Sequence, residues 1–216
     1  MANPVNIVYY LLALVVSITV HEFAHAWSAY ELGDNTARSM GRLSLNPIVH
    51  FDPMGALMIV FMSLSGWGIG WGKPVPVVPS NLRIDARVGM ALTSLAGPFS
   101  NLVLAALAAI PLRLAWSLPL PLWSLLFVFV SANLGLALFN LIPLPPLDGF
   151  HIVQGVLSAY RTRWAYDLSE KLDRVAGYST FLLFGLLALG WFTPIDPLGF
   201  LLGPPLERLL ELYLGW

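Results

Sequence analysis

The sequence has no cysteine among its 216 residues. Disulfides, thiol nucleophiles and cysteine-ligated metal or iron–sulfur sites are therefore excluded. Charge is also scarce: Asp, Glu, Lys and Arg make up 11% of the chain, where an ordinary soluble domain carries about 25%. The net charge of −1 leaves no electrostatic footprint for nucleic acid. No lysine or arginine precedes Arg38, so the charged leader of a signal peptide is missing and the first apolar stretch is expected to stay as a membrane span. No internal repeat and no separate soluble domain can be discerned.

What the chain does have is hydrophobic residues, 57% of the total, and they are gathered into long runs. A span needs roughly 20 apolar residues. Four stretches read as spans: about Asn6 to Tyr30, Val88 to Leu112, Leu122 to Leu141, and a short one from Ser179 to Trp191. The tail from Leu198 to Trp216 mixes Glu207, Arg208 and Glu211 with leucines. That composition suits an interfacial helix slightly better than a fifth span, and Pro204-Pro205 is expected to break it in two. Between the first two spans lies a segment rich in glycine and proline. Its apolar piece, Ala56 to Leu64, is too short to cross and fits a re-entrant element. Beyond it, the prolines of Lys73 to Pro79 push their preceding residues toward extended backbone. The fold class expected is an α-helical integral membrane protein with about four to six transmembrane helices and a small membrane-embedded β or re-entrant segment. Residues 1–216 form one domain, with a core at 7–155 and C-terminal helices at 156–216.

Basic residues set the orientation. Arg38, Arg42, Lys73, Arg83 and Arg87 lie in the first loop, and Arg161, Arg163, Lys171 and Arg174 in the third. These loops are expected on the cytoplasmic side, with the N-terminus outside.

The chemistry is concentrated in His21-Glu22-Phe23-Ala24-His25, inside the first span. Positions i and i+4 share a helix face, so both imidazoles can grip one ion. Glu22 can reach a water held there as general base without being a ligand. Ionisable groups within a span cost about 2.5–3.5 kcal/mol each for the acidic and basic types, and a metal is a common reason for three polar residues on adjacent turns. Catalytic zinc usually takes three protein ligands. The candidate third is Asp148, which follows the proline-broken end of the third span. The first and third spans both run from outside to inside. His21, about 15 residues or roughly 22 Å along its span, and Asp148 should therefore lie near the same, cytoplasmic face.

At these residues the sequence resembles the site-2 protease family of intramembrane zinc metalloproteases, and in particular its compact bacterial branch without PDZ or CBS domains. The likeness also rests on Leu32-Gly33-Asp34, Gly41 to Pro47, His50 to Gly55, Lys73 to Pro76, Ser94 to Asn101 and Asn140 to Gly149. It covers residues 7 to 155 in order and carries little signature beyond them. The resemblance implies one zinc held by His21, His25 and Asp148, with Glu22 as catalytic acid/base. It implies that Asn140 binds substrate or stabilises the attacked carbonyl, and that Asn101 supports the site from the second span. The substrate would be a transmembrane protein or peptide in the lipid bilayer of a bacterial or archaeal cell. An extended edge near Val75 to Val78 is expected to hold the unwound substrate by strand addition. His50 and His151 read more readily as structural than as accessory ligands. Two rival readings stand beside the protease, a membrane metal transporter and a catalytically silent membrane scaffold.

Overall fold

In the computed structural model, residues 4–65, 70–114, 117–160 and 162–215 are described. Among them the chain is helical. Helix α1 runs Pro4–Glu31, α2 Thr36–Ser39, α3 Pro53–Ser65, α4 Ala86–Leu114 and α5 Leu120–Asn140; α6 runs Asp148–Ala159, α7 Arg163–Ala176, α8 Ser179–Phe192 and α9 Pro197–Leu214. Three of these, α1, α4 and α5, are long and apolar enough to cross a membrane. Their 28, 29 and 21 residues correspond to roughly 30 to 44 Å at 1.5 Å per residue.

The three long helices are inside-out relative to a soluble bundle. On α4, Leu92, Leu95, Phe99, Val103, Leu107 and Ile110 are exposed at steps of three and four residues. On α1, Val5, Val8, Leu12 and Val16 repeat the pattern. The buried positions on the same helices include Ser17, His21, His25, Thr93, Ser94 and Asn101. An apolar stripe facing outward around a polar interior is the pattern of a helix bundle solvated by lipid. The protein is thus a helical membrane protein.

The C-terminal third departs from the expected spans in two ways. Helix α8 covers the short fourth stretch but has only 14 residues, and it joins α7 with a 70° bend, so the pair counts as one broken span at most. Helix α9 does not break at Pro204-Pro205; it runs unbroken through both prolines. Leu206, Leu209, Leu210 and Leu214 of α9 pack on Ala105, Ala109, Val130 and Leu134 of α4 and α5. That continuous apolar contact holds the helix across the two positions where a backbone donor is lost. Its charged residues Glu207, Arg208 and Glu211 face outward.

Between α1 and α4 the chain folds back. Helix α3 is too short to span and lays Ile59 on Leu14 and Ile18 of α1. Residues 73–78 carry no regular secondary structure, and among the described residues the only β pairing is an isolated antiparallel bridge from Phe51 to Gly72. This loop is pinned from below by two buried side chains. Asp34 accepts from the amide of Val78 at 2.7 Å, from Asn81 at 3.0 Å and from the amide and hydroxyl of Thr36. The Arg42 guanidinium donates to the carbonyls of Val49, Lys73 and Pro74.

Candidate metal centre

His21 and His25 sit one turn apart on the buried face of α1, with ring centroids 4.6 Å apart and planes nearly perpendicular. Their Nε2 atoms face each other at 3.0 Å. Asp148, the first residue of α6, brings its carboxylate to the same point: Oδ2 lies 3.3 Å from His21 Nε2, and Oδ1 lies 3.4 Å from His25 Nε2. Gly149 allows this approach, since a Cβ there would stand 2.2 Å from the carbonyl oxygen of Leu141. The turn that ends α5 and the turn that starts α6 therefore pack backbone to backbone.

The tautomers follow from the partners. His25 Nδ1 lies 2.7 Å from the carbonyl of Thr93, which can only accept, so Nδ1 carries the proton and Nε2 keeps its lone pair. His21 Nδ1 lies 2.7 Å from Oδ1 of Asn101. That amide is oriented by its own donor, which reaches the carbonyl of Ser17 and Oδ1 of Asn133. His21 Nε2 is therefore also a free lone pair. Two lone pairs and a carboxylate converge, and the buried Oδ2 of Asp148 makes no hydrogen bond. Such a set repels itself unless a cation joins it.

The geometry fits a zinc-sized ion. Ligand atoms about 2.0–2.1 Å from a tetrahedral centre stand about 3.3–3.4 Å apart, and the three donor separations here are 3.0, 3.3 and 3.4 Å. The space is kept open by Gly97 on α4, where a Cβ would come within 2.4 Å of His25 Nε2 and 2.6 Å of His21 Cε1. Pro98, next to it, has no N–H, so the carbonyl of Ser94 one turn earlier loses its helical donor.

Glu22 stands beside the triad without joining it. Its Oε2 accepts from the amide of Val75 at 3.1 Å. Most donors along this segment are consequently used up: Val75 serves Glu22, Val78 serves Asp34, and Pro74, Pro76 and Pro79 have none, which leaves the amide of Val77. The edge available for strand addition is thus narrower than Val75 to Val78 suggests. Asn140, at the end of α5, donates back to the carbonyl of Leu136 at 3.0 Å and stands outside the ligand triad.

His50 is wholly buried in the loop, with Nε2 2.6 Å from the carbonyl of Ser44. Its own carbonyl accepts from Lys73 at 2.7 Å, so it ties the loop together at a distance from the triad. His151 lies one turn beyond Asp148 on α6, and burial pushes its pKa below the ordinary histidine value. Asn133, Thr93 and the hydrogen bond from Val75 to Glu22 were not singled out in the sequence. A second asparagine within the apolar run Leu122 to Leu141 was a signal for Asn133. Thr93 and Val75 act through their backbone, which no residue type announces.

Fold and site together define a helical membrane protein with a buried group of two histidines and an aspartate that could hold a metal ion. The chain belongs to peptidase family M50, the site-2 protease family. The model of that family, described as Peptidase family M50, matches residues 115–184, a stretch that contains Asp148 and extends past residue 155. A Bacillus subtilis (strain 168) protein named "Putative zinc metalloprotease YwhC" is 40% identical over 165 residues, covering 71% of this chain and 72% of that protein. The Rip2 proteins of Mycolicibacterium smegmatis and of Mycobacterium tuberculosis (strain H37Rv), named in the same terms, are 32% and 34% identical over 137 residues. The chain spans 52% of the length of each. No solved structure matches. The relatives' names and the donor set agree on zinc as the metal.

Proposed function

We propose that the chain is an intramembrane zinc endopeptidase, a multi-pass protein of a bacterial or archaeal cell membrane, that hydrolyses peptide bonds of membrane-spanning substrate segments near the cytoplasmic face. The observation that carries this reading is the convergence of His21, His25 and Asp148 on one point with Glu22 beside it, held by a separate loop. His21, His25 and Asp148 would hold the ion. Zinc, when bound, lowers the pKa of the water it holds and polarises the scissile carbonyl.

The remaining work falls to the chain's own groups. Glu22 takes a proton from the attacking water and later delivers it to the leaving amine. Its hydrogen bond from the Val75 amide keeps the carboxylate aimed across the site. A substrate helix hides its carbonyls in i to i−4 hydrogen bonds, so the segment must unwind before attack. The non-helical backbone at 73–78 is where the unwound chain would lie. Asn140 spends one amide N–H on the Leu136 carbonyl, and its second N–H is the one that would meet the attacked carbonyl oxygen. The clustering of Arg38, Arg42, Lys73 and Arg83 between α1 and α4, with Arg87 in the first turn of α4, supports a cytoplasmic location for this end of the bundle.

The test is a Glu22→Gln variant beside wild type, both purified in detergent and reconstituted with a panel of single-span peptides. Zinc should stay near one per chain in both, while cleavage falls by about 10³-fold or more, as expected on loss of a general base and its proton delivery. A wild type that holds zinc yet moves it across vesicles, with equal efficiency in Glu22→Gln, would establish the transporter reading instead.

A further inference from the structure

We infer that Asn133 is a positioning residue of the metal centre, acting through Asn101 to hold His21 in the tautomer that offers Nε2 to the ion. The inference rests on the zinc reading above. The two histidines are oriented in different ways. His25 donates to a backbone carbonyl, which has no donor and so allows one tautomer only. His21 faces a side-chain amide, and an amide has two nearly isosteric orientations, one presenting oxygen and the other NH₂. If the Asn101 amide turned over, its NH₂ would face His21 Nδ1. The ring proton would then move to Nε2, the position the ion must take.

What prevents the flip is a relay across three helices. Asn133, on α5, donates Nδ2–H to the carbonyl of Phe129 at 2.9 Å. A carbonyl only accepts, so the Asn133 amide is fixed, with Oδ1 turned toward α4. That oxygen accepts from Asn101 Nδ2 at 2.9 Å. The second anchor of Asn101, the carbonyl of Ser17, is longer at 3.3 Å. Asn101 Oδ1 is thereby left to accept from His21 Nδ1 at 2.7 Å. Asn101 and Asn133 are both 0% exposed. Val130, one turn before Asn133, and Leu134, next to it, are equally buried and purely apolar, so packing at this depth is met by hydrocarbon alone. A buried amide in an apolar span is costly unless its polarity is used.

The experiment measures zinc affinity of the full chain in detergent by chelator competition, with the visible spectrum of the cobalt-substituted protein as a second readout. Losing a partner of this kind typically weakens metal binding by about 10–100-fold. Asn101→Ala should fall in that range, Asn133→Leu should lose about tenfold, and Asn133→Asp, which keeps an acceptor toward Asn101, should stay within about threefold of wild type. In the Asn101→Ala background, Asn133→Leu should cost nothing further, because its route to the ion is already cut. Wild-type affinity in Asn133→Leu overturns the inference, as does an undiminished tenfold loss in the Asn101→Ala background, which would mark a packing role. If Asn133→Leu does not fold, Asn133→Asp decides: folded protein that loses zinc overturns it. A wild type that takes no zinc fails the zinc reading as a whole, a result separable from the others.

Discussion

The two ends of the α4–α5 pair are built from different materials. Toward the start of α4 the buried residues include Thr93, Ser94, Gly97 and Asn101, which face the histidines of α1 and are joined by Asn133 of α5. Toward the end of α4 they are Ala105 and Ala109, which pack with Val130 and Leu134 of the middle of α5 and are closed off by Leu214 of α9. The same two helices thus carry a polar centre and a dry seam within a few turns. In lipid there is no hydrophobic gain from pressing apolar helices together, so the dry seam relies on close packing. The polar end relies on satisfied hydrogen bonds and on an ion. A substitution should therefore do opposite things at the two ends: at one it removes metal and spares the fold, at the other the reverse.

The largest effect is expected from Gly97→Ala. The added methyl would lie 2.4 Å from His25 Nε2, whereas a Cβ at Gly135 on α5 meets nothing within 4 Å. Zinc should fall from about one per chain to near zero in Gly97→Ala, as in any site whose ligands cannot reach tetrahedral geometry. Gly135→Ala should retain full zinc and activity. Elemental analysis of the two purified variants makes the comparison, and zinc retained in Gly97→Ala would mean that α4 is not the wall of the site.

At the dry end the expected change is in stability. Leu134→Ala would open a cavity where the side chain is 0% exposed against Ala105, Val130 and Leu214. A loss of about 2 kcal/mol is expected, the low end for a buried leucine because lipid also solvates methyl groups. Denaturant unfolding in mixed micelles should register it. Zinc stoichiometry at saturating metal should stay at the wild-type level. If both quantities fell together, the two ends would be one cooperative unit.

How much of this was legible in the sequence divides along the same line. The long spans were legible because lipid demands a continuous apolar run, and α1, α4 and α5 begin and end within a few residues of the expected limits. His21, Glu22 and His25 stood out because ionisable groups in such a run need a reason, and Asp148 because a zinc site needs a third ligand. The chain's hydrogen-bond geometry was not legible. Nothing in Pro74 to Pro79 reveals that Val75 and Val78 spend their amides on Glu22 and Asp34. The unbroken α9 was hidden too, since the prolines weigh locally while the packing of Leu206 to Leu214 comes from residues some hundred positions away.

The smallest effect concerns the loop that carries Val75, and it separates polar groups that serve the metal from polar groups that serve the fold. Asp34 is fully buried just past the end of α1. Burial would raise its pKa, but hydrogen bonds from Thr36, Asn81 and the Val78 amide outweigh that and hold it below the ordinary carboxylate value. A depressed folded pKa contributes stability that is complete above the unfolded value of about 3.9 and is lost as pH falls through the folded one. On metal-free protein at pH 7, Asp34→Asn should therefore cost about 1–2 kcal/mol, the scale of hydrogen bonds to a charged acceptor. Near pH 3 the two melting curves should draw together, because the wild-type carboxylate is then losing its advantage. Zinc affinity at pH 7 should remain within about threefold of wild type, since Asp34 touches neither ligand nor relay. Cleavage should fall further than zinc affinity does, because a loosened Val78 frees the segment that aims Glu22. A pH-independent stability difference would mean that Asp34 acts by shape alone.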